Sequence, residues 1–280
     1  MSTTALPAPA VRPASRLRTL VTRHPITSYL IASFTVGWSL LIPALLAGIS
    51  IELALPVIVL FSHVLPATTI TAVTDGRAGV RALFGRVFRW RVGAGWYLLA
   101  AFAMPAVTLL AATAMSGTAP IAAVVSRPSL IVAFLTTLLM APLLNLAEET
   151  GWTGFVQARL QDRRGPLAAA AITAPLLALI HLPILLAPLG ITAGLISVLV
   201  LMAFAVPFRM LAGWLYNRTG SVIIVALFHA AFNGSYVSGI LAKGTVHLQP
   251  VVFTLIGTAV LGGWVAWRTR GRLGQTRSTG

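Results

Sequence analysis

Apolar residues run in long blocks along the chain, broken by short polar stretches that hold most of the charge. Eight blocks stand out, at about residues 26–48, 53–74, 94–115, 129–158, 166–187, 191–216, 221–241 and 250–267. Each is close to the roughly 20 residues a helix needs to cross a bilayer. They lack the strict polar/apolar alternation of barrel strands. The pattern predicts an all-α, polytopic membrane helix bundle of about eight transmembrane helices. Residues 26–267 read as a single transmembrane domain without an internal repeat. Residues 1–25, rich in Ala, Pro and Arg, are expected to be a disordered basic N-terminus. Residues 268–280 read as a basic tail. The first block is longer than a signal-peptide core and lacks a small-x-small cleavage site, which favours an uncleaved span.

Composition agrees with this picture. Of the 280 residues, 58% are hydrophobic and only 9% charged, with mean hydropathy +0.91. A soluble domain carries roughly 25% charged residues, so a soluble globular protein is excluded. The absence of cysteine excludes disulfides, thiolate metal sites and a cysteine nucleophile.

The net charge of +15 is distributed by side. Eighteen of the 20 basic residues fall on alternate connections. They are arginines 12, 16, 18 and 23; 77, 81, 86, 89 and 91; 159, 163 and 164; 209 and 218; and 268, 270, 272 and 277. Only Arg127 and Lys243 lie on the other side. This positive-inside pattern predicts cytoplasmic termini and anionic lipid headgroups as partners of the basic loops, with no nucleic acid. Nineteen Arg to one Lys hints at a GC-rich prokaryotic genome, hence a multi-pass protein of the prokaryotic inner or plasma membrane.

Five acids are present: Glu52, Asp75, Glu148, Glu149 and Asp162. Glu52, Asp75 and Asp162 read as solvated loop charges. Glu148 and Glu149 interrupt an apolar run that resumes at Gly151–Val156. An acid at a membrane-helix centre costs roughly 2.5–3.5 kcal/mol on insertion scales, so the pair demands a reason. The alternative is a helix that ends at residue 147.

Depth arithmetic groups these acids with other polar residues. At 1.5 Å rise per residue, Glu148 lies roughly 22 Å from Arg163, and His181 roughly 22 Å from Pro166. His229 and Asn233 lie roughly 13 and 20 Å from Gly220 and share one helix face. Adjacent glutamates are about 100° apart around their helix, so at most one points squarely into a shared site. Such a group could run general-base hydrolysis, with Glu148 activating water helped by His181, and His229 and Asn233 donating to an oxyanion. Glu148, His181 and His229 could instead hold zinc with an open water position, a reading that rests on residue type alone. Pro183 can bend the helix beside His181. His63, roughly 18 Å from Asp75, either packs or joins the site. Asn145 either supports the glutamates or makes a plain helix–helix hydrogen bond. Trp38, Trp90, Trp96, Trp214, Trp264 and Trp267 suit interfacial belts, and His24 and His247 the solvated flanks.

These motifs resemble the CAAX prenyl protease type II family, also called the CPBP or Abi family of intramembrane endopeptidases. Its Glu-Glu-x-x-x-Arg motif falls on Glu148–Thr153, its Phe-x-x-x-His motif on Leu177–His181, and its His-x-x-x-Asn motif on His229–Asn233. The motif region spans about residues 130–235, and Asp75–Arg91 resembles the family's basic loop. The resemblance implies peptide-bond hydrolysis within the membrane on a membrane protein or peptide substrate. Glu148 would activate water, Glu149 support it, His181 assist, and His229 with Asn233 hold the oxyanion. It leaves zinc open.

Two positions depart from the pattern: Thr153 stands where the family has Arg, and Leu177 where it has Phe. Thr153 brings no charge to Glu149, and Arg159 is nearly three turns further along. A non-catalytic scaffold or immunity-type relative is therefore the alternative. A proton-coupled transporter is a further one, but no second half echoes the Glu-Glu segment.

Overall fold

The computed structural model describes residues 16–237 and 249–276. Among them every regular element is helical. In chain order these are α1 (Arg16–Arg23), α2 (Pro25–Leu46), α3 (Ile51–Val59), α4 (Leu65–Val87), α5 (Ala94–Ser116), α6 (Ala119–Ser126), α7 (Pro128–Gly151), α8 (Ala158–Arg164), α9 (Pro166–Ile180), α10 (Leu182–Thr219), α11 (Val222–Val237) and α12 (Gln249–Arg268). Two π turns, Leu60–Val64 and Trp152–Gln157, join α3 to α4 and α7 to α8 without a break. Residues 16–23, expected to lack structure, form α1, and His24 caps α2 in an exposed position. His247 lies outside the described residues.

Among the described residues, five helices are long and apolar enough to cross a membrane: Pro25–Leu46, Ile51–Val87, Ala94–Ser116, Pro128–Arg164 and Leu182–Thr219. Pro166–Ile180, Val222–Ser235 and Val252–Arg268 are shorter apolar helices. Together they fall on the eight apolar blocks. Proline opens α2, α7 and α9, where its missing N–H costs nothing and its fixed φ favours the helix.

The outer surface is apolar: Leu143 is 78% exposed, Leu139 71% and Leu199 66%. Water would not tolerate such a surface, whereas lipid chains match it. Inside, Tyr29, Leu83, Met104, Trp152, Phe155 and Phe208 form the core, with Ala169, Ala170 and Ala174 of α9 fully buried. Small side chains let membrane helices approach closely.

Two glycines shape the path to the site. Gly190 breaks α10 at φ 75°, ψ 177°, a conformation essentially restricted to glycine, and the chain reverses there. The reversal brings Gly194 against the preceding turn, where a Cβ would sit 2.9 Å from the Leu186 Cα. Gly190 and Gly194 thus form a hairpin within one chain, and the expected division between residues 187 and 191 is this reversal. The expected span 166–187 is itself broken at His181, between α9 and α10.

Candidate active site

Glu148 and Glu149 lie in the last turn of α7, which continues through both. The reading in which this helix ends at residue 147 is therefore excluded. Their side chains diverge, as adjacent helical residues must.

Glu149 faces inward and is fully buried. Its carboxylate receives Arg209 of α10, with Nη1 2.9 Å from Oε2 and 3.2 Å from Oε1. Nδ1 of His229 approaches Oε1 at 3.0 Å, and the Thr153 hydroxyl donates to Oε2. The other guanidinium nitrogen, Nη2, donates to Thr153 Oγ1 at 3.0 Å and Gln157 Oε1 at 2.6 Å. Arg209, Thr153 and Gln157 are as buried as Glu149. An isolated buried carboxylate carries a penalty of several kcal/mol, and a geometrically matched cation with further donors offsets it. The π turn Trp152–Gln157 presents Thr153 and Gln157 to the same guanidinium.

This arrangement corrects two expectations. Arg209 does not belong to the basic cytoplasmic rim: it lies inside the bundle. Thr153, uncharged itself, hydrogen-bonds the arginine that arrives from another helix. The signal for Arg209 was present in the sequence, since it interrupts an apolar run as Glu148 does, and an intramembrane cation calls for an acidic partner.

Glu148 instead lines a cavity of about 640 Å³ that also takes in His63, Asn145, His181, His229 and Asn233. Its carboxylate Oε2 is 3.8 Å from His229 Nδ1, and its side chain keeps 13% exposure. His181 sits at the α9–α10 junction, with Nδ1 directed at the Leu177 carbonyl at 2.8 Å. That carbonyl can only accept, so Nδ1 carries the proton and Nε2 is left as the acceptor. The indole of Trp38 donates to the Ile180 carbonyl at 3.0 Å, fastening the helix end beside His181. Trp38 is thus a cavity residue rather than a belt residue. Leu177, in the family's Phe position, is 5% exposed and packs in the core. Asn145 is 2% exposed, with its Oδ1 unpartnered. Apolar residues of α2, α3 and α10, among them Leu41, Leu55, Leu189 and Val200, complete the cavity wall.

The expected loop charge Asp75 is paired with Arg159 of α8 at 2.5 Å. Arg159 also stacks over Phe155, 3.9 Å from the ring centroid.

Zinc does not fit this arrangement. Among the described residues no three His, Asp or Glu side chains converge as a metal-binding group.

Residues 127–235 match the model of the family described as type II CAAX prenyl endopeptidase Rce1-like. This segment is Rce1-like. No curated protein matches the chain. The Rce1-like segment contains Glu148, Glu149, Thr153, His181, Arg209, His229 and Asn233, whereas His63 and Tyr29 lie outside it. The family is one of proteases acting on membrane-associated proteins, and the apolar helices make the chain a multi-pass membrane protein.

Proposed function

We propose that the chain is an intramembrane endopeptidase that hydrolyses a peptide bond of a membrane-associated protein or peptide. The observation that carries this reading is the single cavity lined by Glu148, His181, His229 and Asn233 within the Rce1-like segment. Apolar walls give an apolar stretch of substrate a place to lie beside the polar groups.

Glu148 is the general base: it takes a proton from water, and the resulting hydroxide attacks the carbonyl carbon. His181 accepts a hydrogen bond from that water at Nε2, which its Nδ1–H contact leaves free. The Asn233 amide donates to the oxyanion of the tetrahedral intermediate. His229 also donates, through Nε2–H, while Nδ1–H stays on Glu149. In that role the ring carries both protons, and the carboxylates of Glu149 and Glu148, at 3.0 and 3.8 Å, balance its charge. When the C–N bond breaks, the proton held by Glu148 passes to the leaving amine. Glu149 touches no reacting atom and positions His229. The basic connections anchor the bundle against anionic headgroups at the cytoplasmic face.

The test compares purified wild type with Glu148→Ala in liposomes supplied with solubilised host membrane proteins, mapping new peptide termini by mass spectrometry. Termini that appear only with wild type are the expected result. Identical maps from the two proteins would overturn the protease reading.

A further inference from the structure

His63 lies outside the Rce1-like segment, yet it lines the same cavity as Glu148 and His181. It is 3% exposed and sits on the π turn Leu60–Val64, three residues before Pro66. A proline lacks the N–H of the helical ladder and crowds the carbonyl four residues back, and π turns often mark functional positions.

The Nδ1 atom of His63 is 2.8 Å from the Tyr29 hydroxyl, and Ser33 Oγ lies 3.5 Å from the same nitrogen. A phenol both donates and accepts; its O–H is assigned here as the donor to Nδ1, an assignment that puts the ring proton on Nε2. The other two imidazoles are set the opposite way. Their Nδ1 atoms face acceptors, the Leu177 carbonyl for His181 and the Glu149 carboxylate for His229. Of the three cavity histidines, His63 is therefore the one whose neutral ring offers a hydrogen-bond donor at Nε2.

The donor is held in register with the general base. Gly151 follows Glu148 by three residues, and a Cβ there would lie 1.9 Å from the Tyr29 hydroxyl and 3.1 Å from His63 Nδ1. The missing side chain admits the Tyr29–His63 pair against the turn that carries Glu148. The neighbouring Trp152 ring packs on both partners, 5.4 Å from His63 and 6.3 Å from Tyr29 between centroids.

We propose that His63 is a further catalytic residue of this site: with Nδ1 held by Tyr29, its Nε2–H donates a hydrogen bond to the carbonyl oxygen of the peptide bond being cut. Tyr29 is the positioning residue that sets the tautomer. This assignment rests on the protease reading above. It gives the site a donor that needs no charged ring, beside the Asn233 amide and the doubly protonated His229.

The test uses full-length protein in liposomes with the same solubilised membrane proteins, following the rate at which wild-type termini appear. His63→Leu keeps the apolar volume and removes the donor, whereas His63→Gln keeps an N–H near the Nε2 position. A donor role predicts a loss of roughly 100-fold for His63→Leu, as for one oxyanion-hole donor, and substantial rescue in His63→Gln. A packing role predicts the opposite order, because Leu suits a buried site better than Gln. Tyr29→Phe keeps the ring, and the same role predicts a slower rate without a change in cleavage positions. Histidine ring ¹⁵N spectra provide a readout that survives poor expression of any variant: the expected His63 signal is Nε2–H with bare Nδ1, shifting in Tyr29→Phe. Protonated Nδ1, or equal rates for wild type, His63→Leu and His63→Gln, would overturn the His63 assignment while leaving wild-type cleavage intact. Absence of cleavage by wild type itself would overturn the protease reading and this assignment with it.

Discussion

Arg209 Nη1 lies 2.9 Å from Glu149 Oε2, with both side chains fully buried and contributed by different helices, α10 and α7. The pair solves an electrostatic problem set by the sequence, since the helix that carries the glutamates brings no arginine one turn on. A guanidinium reaching across the bundle neutralises the carboxylate and ties α10 to the end of α7. It also fixes the acceptor that orients His229.

Removing this cation leaves a buried carboxylate without its guanidinium partner. Arg209→Met is expected to destabilise the protein by about 3–5 kcal/mol, the range for breaking one partner of a buried pair. Thermal unfolding in detergent checks this. Thr153→Arg alone is expected to destabilise as well, because it crowds a second cation beside Arg209. In the Arg209→Met background the same Thr153→Arg change is expected to restore stability and activity. Strictly additive effects of the two substitutions would contradict this view of one shared carboxylate partner.

The two glutamates should separate cleanly in their phenotypes. Glu148→Gln is expected to abolish cleavage with unfolding close to wild type, because the Glu148 carboxylate approaches its charged neighbour, His229 Nδ1, only to 3.8 Å. Glu149→Gln is expected to lose both stability and activity, since the amide cannot accept from Arg209, His229 and Thr153 as a carboxylate does. Parallel melting curves and cleavage rates distinguish the two, and equal unfolding temperatures would refute the division of roles.

Gly151→Ala is expected to disturb the site without touching an ionisable group. Its new Cβ would meet the Tyr29 hydroxyl at 1.9 Å, so Tyr29 must move and release His63. Cleavage should fall in this variant. Tyr29→Phe in the same background should recover part of the stability but not the rate. Wild-type rates in Gly151→Ala would show that the close approach has no bearing on catalysis.

The ion pair between Asp75 and Arg159 offers a contrast. It lies at the rim, with Asp75 half exposed, and exposed pairs contribute about 0–1 kcal/mol. Asp75→Asn is therefore expected to change the unfolding temperature little. Arg159→Ala should cost more, because the stacking on Phe155 is lost too. A salt titration of wild type and Asp75→Asn reads the difference.

How much of this was legible beforehand follows from the physics of each feature. Apolar block length and the price of a buried charge act locally, so the chain alone determined a helical membrane bundle and marked Glu148 and Glu149 as needing partners. Rise per residue is equally local, and it put His181, His229 and Asn233 at depths comparable with Glu148, all four of which line one cavity in the fold. Which carboxylate faces which partner was another matter. Neighbouring residues on a helix point in different directions, and only packing decided that Glu149 turns to Arg209 while Glu148 turns to the cavity. The sequence placed Arg209 with the rim arginines because it stands near the end of an apolar block; the packing of α10 against the π turn at Trp152–Gln157 carried it inside. His63 could be read either as packing or as part of the site until Tyr29, 34 residues away in the chain, was seen on its Nδ1. Hydrophobicity and charge are properties of a stretch of chain, but hydrogen-bond partners across helices exist only once the helices are packed.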